Sequence, residues 1–132
     1  MQVAGDSDAT IIVLRVRSGS DEVQRGAYVR KTRITIGRDA YTDIQLDDAT
    51  VSRVHGVIYR KREGFSLHDR SSNGLRVNGH TAGAHLLRDG DVIEIGRYRV
   101  HVEVYADCES SFHDRAVAEG WTMDDARTIC AG

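Results

Sequence analysis

The chain has 132 residues, 40% hydrophobic and 29% charged, with a net charge of −2. This length fits one folded domain with a short appendage, and no apolar run reaches the roughly 20 residues of a membrane-spanning helix. We therefore expect no membrane insertion. Residues 1–105 carry a net charge of +2 and residues 106–132 a net charge of −4, well short of a typical DNA-binding domain. We expect no nucleic-acid partner.

The beginning of the chain lacks the basic charge and apolar stretch of a secretory signal, which predicts a cytoplasmic protein. Residues 1–9 are expected to form a flexible N-terminus. From residue 10 to residue 105, short segments rich in Val, Ile, Leu and Tyr recur between turn signals such as Asn73-Gly74 and Asn78-Gly79. These segments are typical of strands in a β-sandwich. The predicted strands are residues 10–17, 32–36, 44–46, 56–61, 65–69, 75–77, 92–95 and 98–105.

The pattern changes in residues 106–132, which form an acidic tail. Ser111 with Asp114, and Thr122 with Asp125, resemble capping boxes and predict two short helices. Trp121 offers a large apolar surface, so we expect the tail to fold back on the sandwich. The alternative is a docking element or the start of a further domain.

Three polar clusters lie at the ends of predicted strands. They are Ile36-Gly37-Arg38, Val51-Ser52-Arg53-Val54-His55 and Ser71-Ser72-Asn73-Gly74, the last followed by Val77-Asn78-Gly79. Because loops at one end of a sandwich converge, we expect one surface patch to hold Arg38, Ser52, Arg53, Ser72 and Asn73. Guanidinium groups, hydroxyls and loop amides are the charge-assisted donors that a dianionic phosphate needs. Each cluster alone is typical of an ordinary turn, so the inference depends on their combination.

Taken together and in order, these residues resemble the forkhead-associated (FHA) domain family, whose pattern is Gly-Arg, then Ser-x-x-His, then an Asn-Gly pair of turns. The resemblance covers about residues 10–105 and includes residues 43–46, 67–69 and 87–96. It implies an all-β, FHA-type sandwich of about eleven strands, to which the tail would add a short α-helical C-terminal appendage. It also implies that loops at one end bind a phosphothreonine peptide.

The resemblance assigns a role to each matching residue. Arg38 and Ser52 would contact the phosphate, Arg53 would add a supplementary contact, and Ser72 would also reach the phosphate. Asn73 would hold the peptide backbone on either side of the phosphothreonine, since a side-chain amide donates and accepts at once.

Supporting roles are expected for Gly37, His55, Gly74, Asn78 and Gly79. His55 would brace the loops rather than bind the ligand, and Asn78 would stabilise its own turn or a neighbouring loop. Specificity would depend on the peptide residue three places after the phosphothreonine, read by residues 47–51 and 73–76, where Arg76 would favour an acidic or apolar residue. Leu75 departs from the family pattern, which often has Thr or Ser there, and we expect no loss of binding from it.

An enzyme is the first alternative, because Ser52, His55 and Asp69 form a candidate hydrolase triad. The chain has no Gly-x-Ser-x-Gly elbow and no Gly-x-x-x-x-Gly-Lys phosphate loop. Residues 39–50 do not match a calcium loop, since Ile44 and Thr50 stand where Gly and Glu are needed. His80 and His85 fall in a predicted loop without paired ligand spacing. We expect no catalysis, no cofactor and no metal.

A second alternative is a phosphate-independent FHA scaffold that mediates oligomerisation or domain–domain contacts. The joint presence of Arg38, Ser52 and Asn73 favours phosphate recognition, since a purely structural copy has no need of this set. The expected partner is a phosphothreonine-containing protein in a Ser/Thr-kinase signalling pathway. A phosphorylated threonine of the chain itself, such as Thr10, is a further candidate for docking into a sister molecule.

Overall fold

The computed structural model describes residues 10–106, Phe112, residues 120–122 and Ile129. Its eleven strands are β1 (Ile11–Ser18), β2 (Asp21–Val29), β3 (Arg33–Gly37), β4 (Ile44–Gln45), β5 (Gly56–Lys61), β6 (Gly64–Asp69), β7 (Arg76–Val77), β8 (His80–Thr81), β9 (Ala84–Leu87), β10 (Val92–Ile95) and β11 (Tyr98–Tyr105). They form a six-stranded sheet in the order β2-β1-β11-β10-β7-β8 and a five-stranded sheet in the order β4-β3-β5-β6-β9. The predicted all-β sandwich of about eleven strands is confirmed.

The main core lies between the two sheets and follows from the two-residue period of the strands. In β1, Ile12, Leu14 and Val16 belong to this core, together with Ile34 of β3 and Ile58 of β5. All five side chains are at most 1% exposed. The alternating apolar residues that predicted the strands therefore fix which face of each sheet points inward.

A smaller apolar cluster covers the other face of the six-stranded sheet. Ile11 and Val13 of β1 and Tyr105 of β11 pack there with Phe112 and with Trp121 and Ile129. The Phe112 ring contacts Tyr105 edge-on at a centroid distance of 5.4 Å and Trp121 at 6.1 Å. These tail residues therefore lie against the sandwich, as the sequence predicts for the tail. The predicted helix bounds and the N-terminal residues 1–9 lie outside the described residues.

Three strands were missed by the sequence analysis, namely β2, β8 and β9, and the prediction that His80 and His85 lie in a loop is wrong. His80 belongs to β8 and His85 to β9. β2 is exposed to half-buried, both residues of β8 are exposed, and β9 has a single buried residue, Leu87. None of the three shows the alternation of buried and exposed residues that marks a half-buried strand. Pairing with a neighbouring backbone defines them instead, as when the turn at Asn78 folds β8 back onto β7.

Candidate functional site

Strand register brings the three predicted loops to one end of the five-stranded sheet. Ile36, near the end of β3, pairs with Gly56 at the start of β5, and Gly56 pairs with Asp69 at the end of β6. The segments after residue 37, before residue 56 and after residue 69 therefore begin side by side. They carry Arg38, residues 50–55 and residues 70–74, which we call the site loops.

Arg38 is held against the loop that contains Ser52. Its backbone NH donates to the carbonyl of Ser52 at 3.0 Å, and its side-chain Nε donates to the carbonyl of Val51 at 2.9 Å. The residue is exposed, and its two terminal guanidinium nitrogens have no hydrogen-bond partner among the described residues. The contacts fix the base of the guanidinium group and leave its terminal donors facing solvent.

Ser52 joins two of the site loops through its hydroxyl. Its Oγ accepts a hydrogen bond from the backbone NH of Ser72 at 3.1 Å. Since a hydroxyl has one proton and two lone pairs, this bond leaves the proton of Ser52 available to an incoming acceptor. The structure thus brings Arg38 and Ser72 to Ser52, through the carbonyl and the hydroxyl of Ser52 respectively.

His55 is the buried link behind this surface, with only 1% of its area exposed. Its Nδ1 accepts from the backbone NH of Ser52 at 3.0 Å, and its Nε2 lies 2.8 Å from the carbonyl oxygen of Gly74. Because Nδ1 accepts, the ring proton must sit on Nε2 and be donated to Gly74. Both nitrogens are occupied by backbone groups, so neither faces the Ser52 hydroxyl as a catalytic base would. This geometry rejects the candidate triad with Asp69.

Asn73 is oriented by the same loop system. Its side-chain NH2 donates to the carbonyl of Thr50 at 2.8 Å, and the residue is otherwise exposed. The side-chain carbonyl and the second amide proton have no partner among the residues that the structure describes. The NH and carbonyl groups of an extended peptide backbone can pair with this free carbonyl and this free NH of Asn73.

Gly37 and Arg53 lie where two loops touch. A Cβ atom on Gly37 would overlap the carbonyl oxygen of Arg53, and the same carbonyl accepts from the backbone NH of Asp39 at 3.1 Å. The Arg53 side chain is exposed and forms no hydrogen bond or ion pair with any described residue. Its charge therefore adds to that of Arg38 at this end of the sandwich.

Asn78 and Gly79 do not join the site loops. They have positive φ angles of 54° and 84°, which is the conformation of a two-residue hairpin turn between β7 and β8. The Asn78 side chain donates to Asp91 Oδ1 at 2.9 Å and accepts from the backbone NH of Val92 at 3.0 Å. It therefore stabilises the neighbouring loop before β10.

The sequence analysis missed two features of the site loops, a hydrogen-bond network around Ser71 and the contact between Asn73 and Thr50. Asp69 Oδ1 accepts from the backbone NH of Ser71 at 2.9 Å and from its hydroxyl, while the same hydroxyl accepts from the NH of Gly74 at 2.7 Å. An Asp two residues before a Ser is a known turn signal that marks this contact. Thr50, which accepts from Asn73, uses only its backbone carbonyl, and no sequence signal identifies such a role.

The loop before Ser52 is closed by Asp48. Its side chain accepts from the backbone NH of Thr50 at 3.1 Å, and its carbonyl accepts from the NH of Val51 at 3.0 Å. The bond from Thr50 lowers the pKa of the Asp48 carboxyl, and contacts with Arg97 lower it further. The carboxylate is therefore ionised at neutral pH and keeps this turn in place.

Comparison with known proteins matches the FHA-domain family model to residues 34–96. The chain is 37% identical over 89 residues to an oxoglutarate dehydrogenase inhibitor of Corynebacterium diphtheriae, covering 67% of this chain and 62% of the relative. The chain spans less than two thirds of the length of this and other curated relatives.

Solved structures agree with this match. An FHA domain studied for phosphothreonine-dependent interactions is 31% identical, with a TM-score of 0.63, over 70% of this chain and 95% of that domain. Mycobacterium tuberculosis EmbR, solved in complex with a low-affinity phosphopeptide, is 31% identical with a TM-score of 0.59, over 70% of this chain and 24% of EmbR. The chain belongs to the FHA-domain family.

Within the described part of the chain, no helix is long and apolar enough to cross a membrane. The same residues contain no group of three or more His, Cys, Asp or Glu side chains placed to hold a metal ion.

Proposed function

We propose that this chain is a non-catalytic module that binds a phosphothreonine peptide and recruits partner proteins phosphorylated by Ser/Thr kinases. The main supporting observation is that Arg38 and Ser72 both hydrogen-bond to Ser52, the first to its carbonyl and the second to its hydroxyl. Family membership supports the same function, since FHA relatives are known in phosphothreonine-dependent interactions and in a phosphopeptide complex.

In this proposal the phosphate is held by charge-assisted hydrogen bonds. The terminal nitrogens of Arg38 and the hydroxyl of Ser52 contact its oxygens, with Ser72 beside them. Arg53 adds positive charge at the rim. Asn73 positions the peptide backbone, because the bond to Thr50 uses one of its amide protons and leaves its carbonyl free. Gly37, His55 and Gly74 keep the loops in register.

Isothermal titration calorimetry with one peptide in threonine, phosphoserine and phosphothreonine forms tests this proposal. The wild-type chain should bind the phosphothreonine form best, and Arg38→Ala should lower its affinity at least about a hundredfold, as expected for a charged, hydrogen-bonded partner of a dianion. Arg62→Ala, at the β5–β6 turn, is the control with the same loss of charge. Equal affinity of wild type and Arg38→Ala would show that the site is elsewhere.

If the chain is instead a phosphate-independent scaffold, its binding to a whole partner protein should not depend on phosphorylation of that partner. Phosphatase treatment of a captured partner should abolish binding if the proposal is correct. If binding persists unchanged after the phosphate has been removed, the scaffold is the better account.

Self-association through a phosphorylated Thr10 stays a prediction, with one geometric condition. Thr10 precedes β1, whose first residue, Ile11, pairs with Tyr105 at the far end of β11. The opposite end of β11 follows Gly96, which approaches Thr50 of the site loops. Eight residues of strand separate the two ends by about 24 Å. A phosphate on Thr10 would therefore lie too far from the site of its own molecule, so this mode of binding requires a second molecule.

A further inference from the structure

A cavity of about 470 Å³ opens beside the site loops, lined on one side by Asn73, Gly74 and Leu75. Its other walls come from β7, β8, β10, β11 and the turn between the last two, and include Arg76, Thr81, Glu94, Arg97 and Arg99. Because Asn73 lines the cavity as well as the proposed peptide site, a peptide held by Asn73 has direct access to the cavity.

Three charged residues of this cavity, Arg76, Glu94 and Arg99, belong to a row that crosses the outer face of the six-stranded sheet. In register, Arg17 of β1 lies opposite Arg99 of β11, Arg99 opposite Glu94 of β10, and Glu94 opposite Arg76 of β7. Directly opposed residues share one face of a sheet. We call Arg17, Arg99 and Arg76 the basic row.

The carboxylates nearby do not neutralise the basic row. Glu94 is the single carboxylate within it and lies 3.9 Å from Arg99, whose side chain remains 65% exposed. Glu22, opposite Arg17 at the edge of the row, forms ion pairs with Arg15 and Arg25 instead. Arg17 donates to the carbonyl of Ser20 at 3.4 Å.

Arg76, at the other end of the row, has no hydrogen-bond or ion-pair partner among the described residues. Arg17 and Arg99 stand directly opposite each other, and like charges in that position destabilise a sheet unless an anion lies between them. The arrangement therefore favours an added negative charge.

The turn between β10 and β11 ties this surface to the site loops. Arg97 donates to the hydroxyl of Tyr98 at 3.0 Å, and that hydroxyl donates to the carbonyl of Asp47 at 3.3 Å. Gly96 faces Thr50, whose carbonyl holds Asn73. The basic row therefore stands at a defined position relative to the proposed peptide site.

We propose that the basic row is a second contact surface for the phosphorylated partner and binds an acidic stretch next to the phosphothreonine. This inference rests on the proposed function. From β7 through β10 and β11 to β1 the row crosses three strand spacings, about 14 Å, which an extended segment of about four or five residues spans. The ligand chemistry is a carboxylate or a second phosphoryl group, and both pair with guanidinium groups in the same way.

The test uses phosphothreonine peptides with one common core and four added residues on the N-terminal or the C-terminal side. The four added residues are all Gln, all Glu, or three Gln and one phosphoserine. Affinities are measured by calorimetry. On one of the two sides, the wild-type chain should bind the Glu peptide about tenfold more tightly than the Gln peptide. The gain should shrink at high salt, because the contacts are exposed. The phosphoserine arm separates carboxylate from phosphoryl recognition.

The variant Arg17→Gln/Arg99→Gln should reduce this acidic preference to about twofold or less while binding the Gln peptide like wild type. Arg62→Gln, on the other sheet, should keep the full preference. If the wild-type chain binds the Gln phosphopeptide but gains nothing from Glu on either side, or if the double variant keeps the gain, the inference is wrong and the proposed function stands. If phosphorylation of the core threonine changes no affinity, both fail.

Discussion

The backbone NH of Ser52 donates to Nδ1 of His55, so a proposed phosphate contact is positioned by a side chain that is itself 1% exposed. Through Nε2 the same ring reaches the carbonyl of Gly74, next to Asn73. One imidazole therefore links the loop proposed to bind the phosphate with the loop proposed to bind the peptide backbone.

Replacing His55 with Ala should affect both stability and binding. It leaves the partly buried NH of Ser52 and the carbonyl of Gly74 without partners and opens a cavity, which together cost about 3 kcal/mol of unfolding free energy. Urea denaturation measures this loss. Phosphopeptide affinity should fall as well, at temperatures where the variant is folded. A variant with unchanged stability and affinity would show that the ring does not brace the loops.

Gly37→Ala should disturb the site through backbone contact alone. The added methyl group overlaps the carbonyl of Arg53, so the strand end and the loop must separate, at a cost of about 1–3 kcal/mol. We expect at least about a tenfold loss of phosphopeptide affinity, measured by calorimetry. Gly83→Ala is the matched control, since a Cβ there meets nothing within 4 Å. Equal behaviour of the two variants contradicts the prediction.

The carboxylate of Asp91 should make stability depend on acid pH. Burial raises its pKa, but hydrogen bonds from the Asn78 side chain, the Arg88 backbone NH and His85 outweigh that effect, so the pKa lies below the ordinary value of an aspartate. A carboxyl group with a lowered pKa in the folded state contributes stability above its unfolded pKa, and this contribution is lost as pH falls through the folded value.

Urea midpoints measured between pH 7 and pH 2 test this expectation. Asp91→Asn should lower stability at pH 7 by about 1–2 kcal/mol, because one of its acceptors becomes a donor. It should also reduce the slope of stability against pH in the acid range. The exposed Asp21 provides the control Asp21→Asn, which should retain the wild-type slope. A wild-type slope in Asp91→Asn would assign the acid sensitivity to another group.

Phe112→Ala should show how strongly the tail is bound to the sheet. Phe112 is 1% exposed and contacts both Tyr105 and Trp121, so its truncation should cost about 3 kcal/mol of unfolding free energy. Val23→Ala, at a side chain that is 52% exposed, should change stability by less than about 0.5 kcal/mol. If Phe112→Ala also changes the unfolding free energy by less than about 0.5 kcal/mol, the apolar cluster on the outer face contributes little to stability.

The core strands could be predicted because their apolar residues alternate. Tyr98, Val100 and Val102 show the period that buries one face of β11, and Asn78-Gly79 shows a hairpin turn. β8 and β9 could not be predicted, since β8 is exposed and Leu87 is the only buried residue of β9, so neither strand carries a periodic signal.

The site was predictable for a different reason. Arg38, Ser52 and Asn73 form part of an ordered motif, and strand register then brings their loops together. The basic row was not predictable, because Arg17, Arg76 and Arg99 are far apart in the sequence. Only the cross-strand register places them on one face.

The pairing of β1 with β11 has a consequence for synthesis of the protein. Ile11 pairs with Tyr105, 94 positions later, so a nascent chain cannot complete the six-stranded sheet before residue 105 has left the ribosome. Until then β1 lacks its β11 neighbour along one edge, and unpaired strand edges are prone to aggregate. Folding should therefore be delayed and then cooperative, and a chain shortened within β11 should yield an unfolded polypeptide rather than a smaller domain.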